Sequence, residues 1–455
     1  MSVSYIAYCG ACISVLKELN NIVEEPYMDE AFHVPQAQAY CRGDYASWDP
    51  KITTPPGLYI MSLLFKRVFM FKCSLPMLRL TTTLTLLALP IVLTRLLCFY
   101  RRIQPPSLLA PTLDAVVLSL FPIVWFFGFL YYTEVPSLVF VVATIVAATE
   151  DRHWLAAQEC LLSCTFRQTN IIWTLYAYTT SQLMYLRYRR PGPGSREFGK
   201  LHDPSADQAK LADLYKSVLS LPGVLPDILP DFVPYALVLC VFVSLVVWNG
   251  GIVLGDKSNH IPVLHVPQIY YFFAFSTAFG WPVLISGVGG IPALLQKMYA
   301  RTLGSKLRVM ITAAVLAVMV LTVKLYTIHH PFLLSDNRHY TFYVWHRIYM
   351  SHWLAPYALV PAYLVCALAW FLRVGSEQSM LQTIALPVFA LAILLPTPLL
   401  EPRYFMIPYL LMRMQIVNVP SWALVLEGMW YAAINFVTMG VFLYLPREGV
   451  GRFMW

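Results

Sequence analysis

The chain has 455 residues, 58% of them hydrophobic and only 12% charged, with a mean hydropathy of +0.61. Soluble domains carry about a quarter charged residues, so the composition excludes a soluble enzyme, a secreted disulfide scaffold and a disordered chain. The net charge of +8 does not indicate nucleic-acid binding, because in so apolar a chain Lys and Arg chiefly report orientation across a membrane.

Apolar windows recur at 3–20, 77–99, 113–132, 135–149, 154–166, 171–186, 232–249, 267–292, 308–328, 353–372, 380–400, 404–417 and 422–445. A span takes about 20 apolar residues, so the pattern predicts an all-α polytopic membrane protein with about 12–14 transmembrane helices. The stretch before Leu16 has no basic segment and no small-residue cleavage site, and reads as an uncleaved first span weakened by Lys17 and Glu18. Arg101, Arg102, Arg187, Arg189, Arg190, Arg196, Lys200, Lys210 and Lys216 mark turns on one side, as do Lys297, Arg301, Lys306 and Arg308. The positive-inside rule makes that side cytosolic and puts 24–76, 133–134, 166–170, 249–266, 329–352 and 400–403 on the other. Residues 187–231, rich in Pro, Gly, Ser and charge, read as a mobile cytosolic loop. No internal repeat is visible, so one membrane-embedded domain over 1–455 is the economical expectation.

The first long non-cytosolic loop, 24–76, is dense in polar residues. If a helix starts near residue 29, Asp29, His33, Gln36 and Tyr40 share one face. A carboxylate one turn from an imidazole suits a general base that must be oriented. The plainer reading is that Asp29 and Glu30 only begin a helix, where acidic residues favour the positive end of the dipole. Further on, Arg167 and Gln168 interrupt two short apolar segments, a broken-helix pattern that lines cavities when it is not a plain turn. Asn249–His260 carries three glycines, Asp256 and His260 but neither a GxGxxG nor a Walker spacing. No DxD, HExxH or Cys/His spacing occurs, so neither a metal nor a cofactor is expected.

The run PYMDEAFHVPQAQAYCRGDY followed by WDPKITTPPGLY resembles the first luminal loop of the endoplasmic-reticulum alpha-1,2-glucosyltransferases that use dolichyl-phosphate glucose. The resemblance continues in order through Phe166–Trp173, Asn249–Asp256, Asp336–Trp345, Leu400–Phe405 and Arg452–Trp455. It implies a GT-C type fold, an active site in the luminal first loop and an inverting transfer of glucose to the lipid-linked N-glycan precursor. The partners implied are a dolichyl-phosphate glucose donor, a dolichyl-pyrophosphate-linked oligosaccharide acceptor and the bilayer, with no nucleic acid. By the same resemblance Asp29 matches the catalytic base, and Asp49 is a secondary carboxylate near the sugar. Glu30 and His33 would support the base.

A dolichyl-phosphate sugar carries a good leaving group, so such an enzyme needs a base for the acceptor hydroxyl and cations for the departing phosphate. Arg338, His339 and Arg347 among Tyr340, Tyr343 and Trp345 are the candidate phosphate clamp, joined by Arg403 and Tyr404. An interfacial aromatic belt, and a structural pair between Glu401 and Arg403, are the plainer alternatives. Cys41 and Cys73 both fall on the side read as oxidising, where a bridge would tie the first loop to an interfacial helix over 59–72. Competing readings are a GT-C transferase using another dolichyl-phosphate sugar, and a transporter or channel regulator, which predicts inverted repeats.

Overall fold

The computed structural model describes residues 2–189, 199–257 and 261–455; Arg190, Arg196 and His260 lie outside the described residues. In chain order the helices are α1 (Val3–Ile22), α2 (Glu30–Cys41), α3 (Gly57–Phe69), α4 (Leu75–Arg101), α5 (Leu113–Ser119), α6 (Pro122–Phe127), α7 (Glu134–Thr149), α8 (His153–Phe166), α9 (Ile171–Tyr188) and α10 (Leu211–Asn249). There follow α11 (Gln268–Leu284), α12 (Gly290–Thr302), α13 (Lys306–Tyr326), α14 (Pro331–Ser335), α15 (Tyr340–Val344), α16 (Ala355–Ala358), α17 (Val360–Gly375), α18 (Met380–Leu394), α19 (Pro402–Met414) and α20 (Ser421–Tyr444). Among the described residues there is no strand, only isolated bridges. The protein is an all-α polytopic membrane protein.

Among the described residues, five helices are long and apolar enough to cross a membrane: Leu75–Arg101, Leu211–Asn249, Lys306–Tyr326, Ala355–Gly375 (α16 and α17 together) and Ser421–Tyr444. The remaining apolar windows form shorter or less apolar helices. The window 113–132 does not form one span. It breaks between α5 and α6 at Leu120–Phe121 because Pro122 lacks an N–H and disfavours helical geometry in the residue before it. Residues 211–231, read from composition as part of a loop, are instead the start of α10. Its prolines at 222, 226, 230 and 234 recur every fourth position, so their lost hydrogen bonds fall along one face and the rest of the ladder survives.

The contacts divide the chain into two compact units. The first comprises Met1–Ser119, Phe127–His260 and Ser379–Phe389; the second comprises Leu120–Phe126, Ile261–Gln378 and Ala390–Trp455. In the first unit, α7 packs against α4, α8 and α9. Buried Thr83 of α4 donates its hydroxyl to the carbonyls of Arg79 and Gly128, and a side chain at Gly128 would run into Leu86. This close approach brings Tyr131 and Tyr132 against the first loop. Beneath the loop, Val34, Tyr40, Ile52, Leu58, Tyr59 and Phe166 form a shared core. A Cys41–Cys73 disulfide ties the end of α2 to the start of α4, reinforced by Lys66 Nζ donating to the Cys41 carbonyl at 2.7 Å. The outer face of α3 exposes Ile60, Leu64 and Val68, which suits a helix lying in the lipid interface.

In the second unit α11 packs on α17, α19 and α20. Phe121 sits among Phe275, Phe279, Tyr409 and Tyr431. Arg413 and Glu427 form a fully buried bidentate pair at 2.9 and 2.7 Å. Ion pairing inside apolar helices is what makes charge tolerable there.

Candidate active site

After α1 the chain turns sharply at Met28, whose φ of +56° is left-handed. A non-glycine residue there costs about 1–2 kcal/mol, and such strain gathers at functional sites. The turn delivers Asp29 to the N-cap of α2, half-buried. Its backbone N–H donates to the Tyr132 hydroxyl at 3.0 Å, while its side chain makes no capping hydrogen bond.

Glu30 has the opposite fate. It is fully buried and accepts from Arg79 Nε at 2.9 Å and Nη2 at 2.6 Å, from the Tyr27 N–H at 3.1 Å and from the Tyr131 N–H at 2.7 Å. Arg79 in turn donates to the Val23 carbonyl at 2.7 Å and to Asn20 Oδ1 at 3.2 Å. This node fastens the end of α1, the start of α2, α4 and the Tyr131–Tyr132 segment around Asp29. Glu30 is thus held within a buried ion pair, with Arg79 as its partner. The sequence offered a signal for Arg79, an arginine inside an apolar window, which by default marks a functional or paired position.

His33 lies one turn after Asp29. Its Nδ1 is 2.6 Å from the Tyr59 hydroxyl, and its ring lies near those of Tyr59 and Tyr132. Burial pushes the Tyr59 phenol far above its ordinary range, with Tyr131, Tyr40 and Asp49 adding to the effect, so Tyr59 stays neutral. On the same helix face, Gln36 donates to the Ser47 carbonyl at 2.8 Å and accepts the Asp49 N–H at 2.9 Å. Tyr40 meets Tyr59 edge-on. The shared face of α2 thus packs on the loop and α3. Asp49 Oδ1 accepts the Lys51 N–H at 2.9 Å, which closes a tight turn beside Tyr59.

Two further segments hold this loop. Gln168 Nε2 donates to the Thr53 carbonyl at 2.7 Å, and the Leu254 N–H reaches the same oxygen at 3.2 Å. Asp256 N–H donates to the Pro50 carbonyl at 2.7 Å. Gly255 adopts φ +62°, and a Cβ there would collide with the carbonyls of Pro50 and Ile52. The Asn249–Asp256 motif is therefore a backbone clasp on the first loop, a role its sequence pattern did not reveal. Arg167, next to Gln168, pairs with buried Glu134.

The phosphate-clamp candidates all belong to the second unit. Arg338 grips Asp336 through Nε and Nη2, both at 2.8 Å. Burial raises the Asp336 carboxyl, but hydrogen bonds and charge from Arg338, with help from His339, outweigh it and hold it below the ordinary range. His339 Nδ1 meets the Trp455 carbonyl at 2.9 Å. The Met454 N–H donates to Arg338 and the Tyr340 N–H to Met454, at 3.0 and 3.2 Å. The Arg452–Trp455 motif thus braces the Asp336–Tyr340 loop. Arg347 is exposed and lies 5.4 Å from the Tyr343 ring centre. Arg403 pairs with Glu401, and the half-buried Tyr404 donates its N–H to the Glu401 carbonyl at 3.1 Å. The structural pairing weighed for Glu401 and Arg403 is therefore present.

The model of the DIE2/ALG10 family matches residues 23–414. Similar curated proteins include the Dol-P-Glc:Glc(2)Man(9)GlcNAc(2)-PP-Dol alpha-1,2-glucosyltransferase of Arabidopsis thaliana, 34% identical over 96% of this chain and 96% of its own. Proteins of the same name from Homo sapiens and Yarrowia lipolytica are 33% and 30% identical, covering 98% and 100% of this chain and 97% and 98% of theirs. No solved structure matches the chain. With the family model matching most of its length and relatives aligned end to end, the chain belongs to the DIE2/ALG10 family.

Proposed function

We propose that this protein is the alpha-1,2-glucosyltransferase that moves glucose from dolichyl-phosphate glucose onto the dolichyl-pyrophosphate-linked oligosaccharide carrying two glucoses, in the endoplasmic-reticulum membrane. End-to-end similarity to relatives named for this reaction carries the reading. The caged Asp29 supports it from the chemical side. Asp29 takes the proton of the acceptor hydroxyl as that oxygen attacks C1 of glucose. The C1–O bond to phosphate breaks, and dolichyl phosphate leaves with the electron pair. One attack from the face opposite the leaving group inverts C1, so a beta-linked donor gives an alpha-linked product.

His33, held by Tyr59, keeps a polar partner one turn from the base, and Asp49 contacts the sugar. Arg338, His339, Arg347 and Arg403, with Tyr404, take the phosphate charge; Arg suits this through planar bidentate donation. Arg338 and Arg403 reach phosphate by sharing guanidinium donors now directed at Asp336 and Glu401. The active site faces the lumen. The disulfide beside it fits an oxidising compartment, and the basic turns at 187–216 and 297–308 fit the cytosol. The test is transfer of labelled glucose from dolichyl-phosphate glucose to the two-glucose lipid-linked acceptor by purified protein. Product sensitive to an alpha-1,2-specific glucosidase is expected; no transfer with this donor, or transfer from dolichyl-phosphate mannose instead, overturns the reading.

A further inference from the structure

Away from the first loop, the turn between α7 and α8 meets the middle of α10 at three ligating side chains. Asp151 Oδ1, His153 Nε2 and Asp231 Oδ2 all lie within 4.8 Å of one another. Nε2 is 3.2 Å from the Asp151 oxygen and 3.6 Å from that of Asp231. Donors held at about 2.0–2.2 Å around a tetrahedral zinc are separated from one another by roughly 3.3–3.6 Å. A single Nε2 proton, by contrast, aligns well with one carboxylate but not with two.

The surroundings are those of a metal-binding imidazole. His153 is buried, and its other nitrogen, Nδ1, is 3.0 Å from the Tyr235 hydroxyl. A proton on Nδ1 donated to Tyr235 leaves the Nε2 lone pair directed at the two carboxylates, the outer-shell arrangement that orients ligating histidines. Gln182, 4% exposed, turns its amide Nε2 toward Asp231 Oδ2 at 3.5 Å. A cavity of about 470 Å³ lined by Asp151, His153, Ser181 and Gln182 gives an ion a way in. The nearby cations Arg102 and Arg189 also line it, but Arg102 stacks on Tyr188 at 3.4 Å and Arg189 pairs with Asp227 at 2.7 Å.

We propose that Asp151, His153 and Asp231 form a structural zinc site joining α10 to the α7–α8 turn. Motif reading could not find it, because the ligands combine a pair two positions apart with a third residue about 80 positions away. The site has a mechanical consequence: α8 starts at the zinc ligands and ends at Arg167 and Gln168, which hold Glu134 and the first loop.

Full-length protein in detergent is stripped with chelator, equilibrated with zinc, desalted and assayed by elemental analysis, alongside Asp151→Asn and Asp231→Asn. Wild type should retain about one zinc per chain and show a higher Tm with zinc than without. Each variant should lose the retained zinc and the zinc-dependent Tm shift while keeping the metal-free wild-type Tm within a few degrees. The metal-free Tm separates lost binding from failed folding. Sub-stoichiometric zinc in wild type overturns the proposal, as does equal zinc retention by Asp231→Asn. Retention of manganese with exclusion of zinc overturns the choice of metal.

Discussion

Asp29 owes its place to the groups around it. A strained turn at Met28, a phenol on its backbone N–H and the buried Glu30–Arg79 node all fix it before any substrate arrives. Breaking a buried pair by removing one partner costs about 3–5 kcal/mol. Glu30→Gln and Arg79→Met should therefore lower Tm sharply and reduce kcat together with it, whereas Asp29→Asn should leave Tm nearly unchanged. Thermal melts in detergent beside turnover assays separate the two behaviours. A second residue-scale prediction concerns His265, fully buried in the segment before α11. Burial drives its pKa down to about 4, partly offset by the backbone of Pro398 and Thr397. The unfolded chain takes up this proton near pH 6.5 and the folded chain only near 4. The stability tied to neutral His265 is thus complete above pH 6.5 and falls as pH drops to about 4, by roughly 3 kcal/mol. Tm measured from pH 7.5 to 4 should decline in wild type and decline less in His265→Phe; parallel curves would contradict the assignment. Spacing and the resemblance single out Asp29 as a candidate, but not the surrounding Arg79, Tyr132 and Tyr59, because their partners lie 26 to 103 positions away.

At the scale of elements, the first loop is held by parts that looked unrelated in sequence. The Asn249–Asp256 motif read as a vague glycine-rich loop; it is a clasp whose Gly255 must have both positive φ and no side chain. Gly255→Ala should loosen residues 49–56, seen as faster amide exchange there, and cut turnover at least tenfold with a small change in Tm. Unchanged exchange would remove the clasp from the account. The Cys41–Cys73 bridge should appear intact in non-reducing peptide mapping, and Cys73→Ser should cost about 2–4 kcal/mol. Helix boundaries were legible where apolar runs were long and uninterrupted, as in α4 and α20. They were not where proline decides locally: Pro122 splits one window into α5 and α6, while the four-residue proline spacing of α10 extends a helix through a segment whose composition reads as loop.

For the whole molecule, composition was enough for the class, because 12% charge cannot cover a soluble surface. The span count was less legible. Helices such as α7, 16 residues long and mostly buried within the protein, are as apolar as lipid-facing spans yet shorter, so hydropathy cannot distinguish a protein neighbour from a lipid one. Sidedness is open to direct measurement. Single cysteines placed at residue 44 and at residue 210 should label from opposite sides of sealed microsomes, with residue 44 protected from an impermeant reagent until the vesicles are opened. The central claim, that Asp29 is the base of glucosyl transfer, is tested most directly by single-turnover transfer from dolichyl-phosphate glucose to the two-glucose acceptor, comparing wild type with Asp29→Asn. The account predicts a rate loss of about 10²–10⁴ with donor binding and Tm retained; turnover within a few-fold of wild type would contradict it.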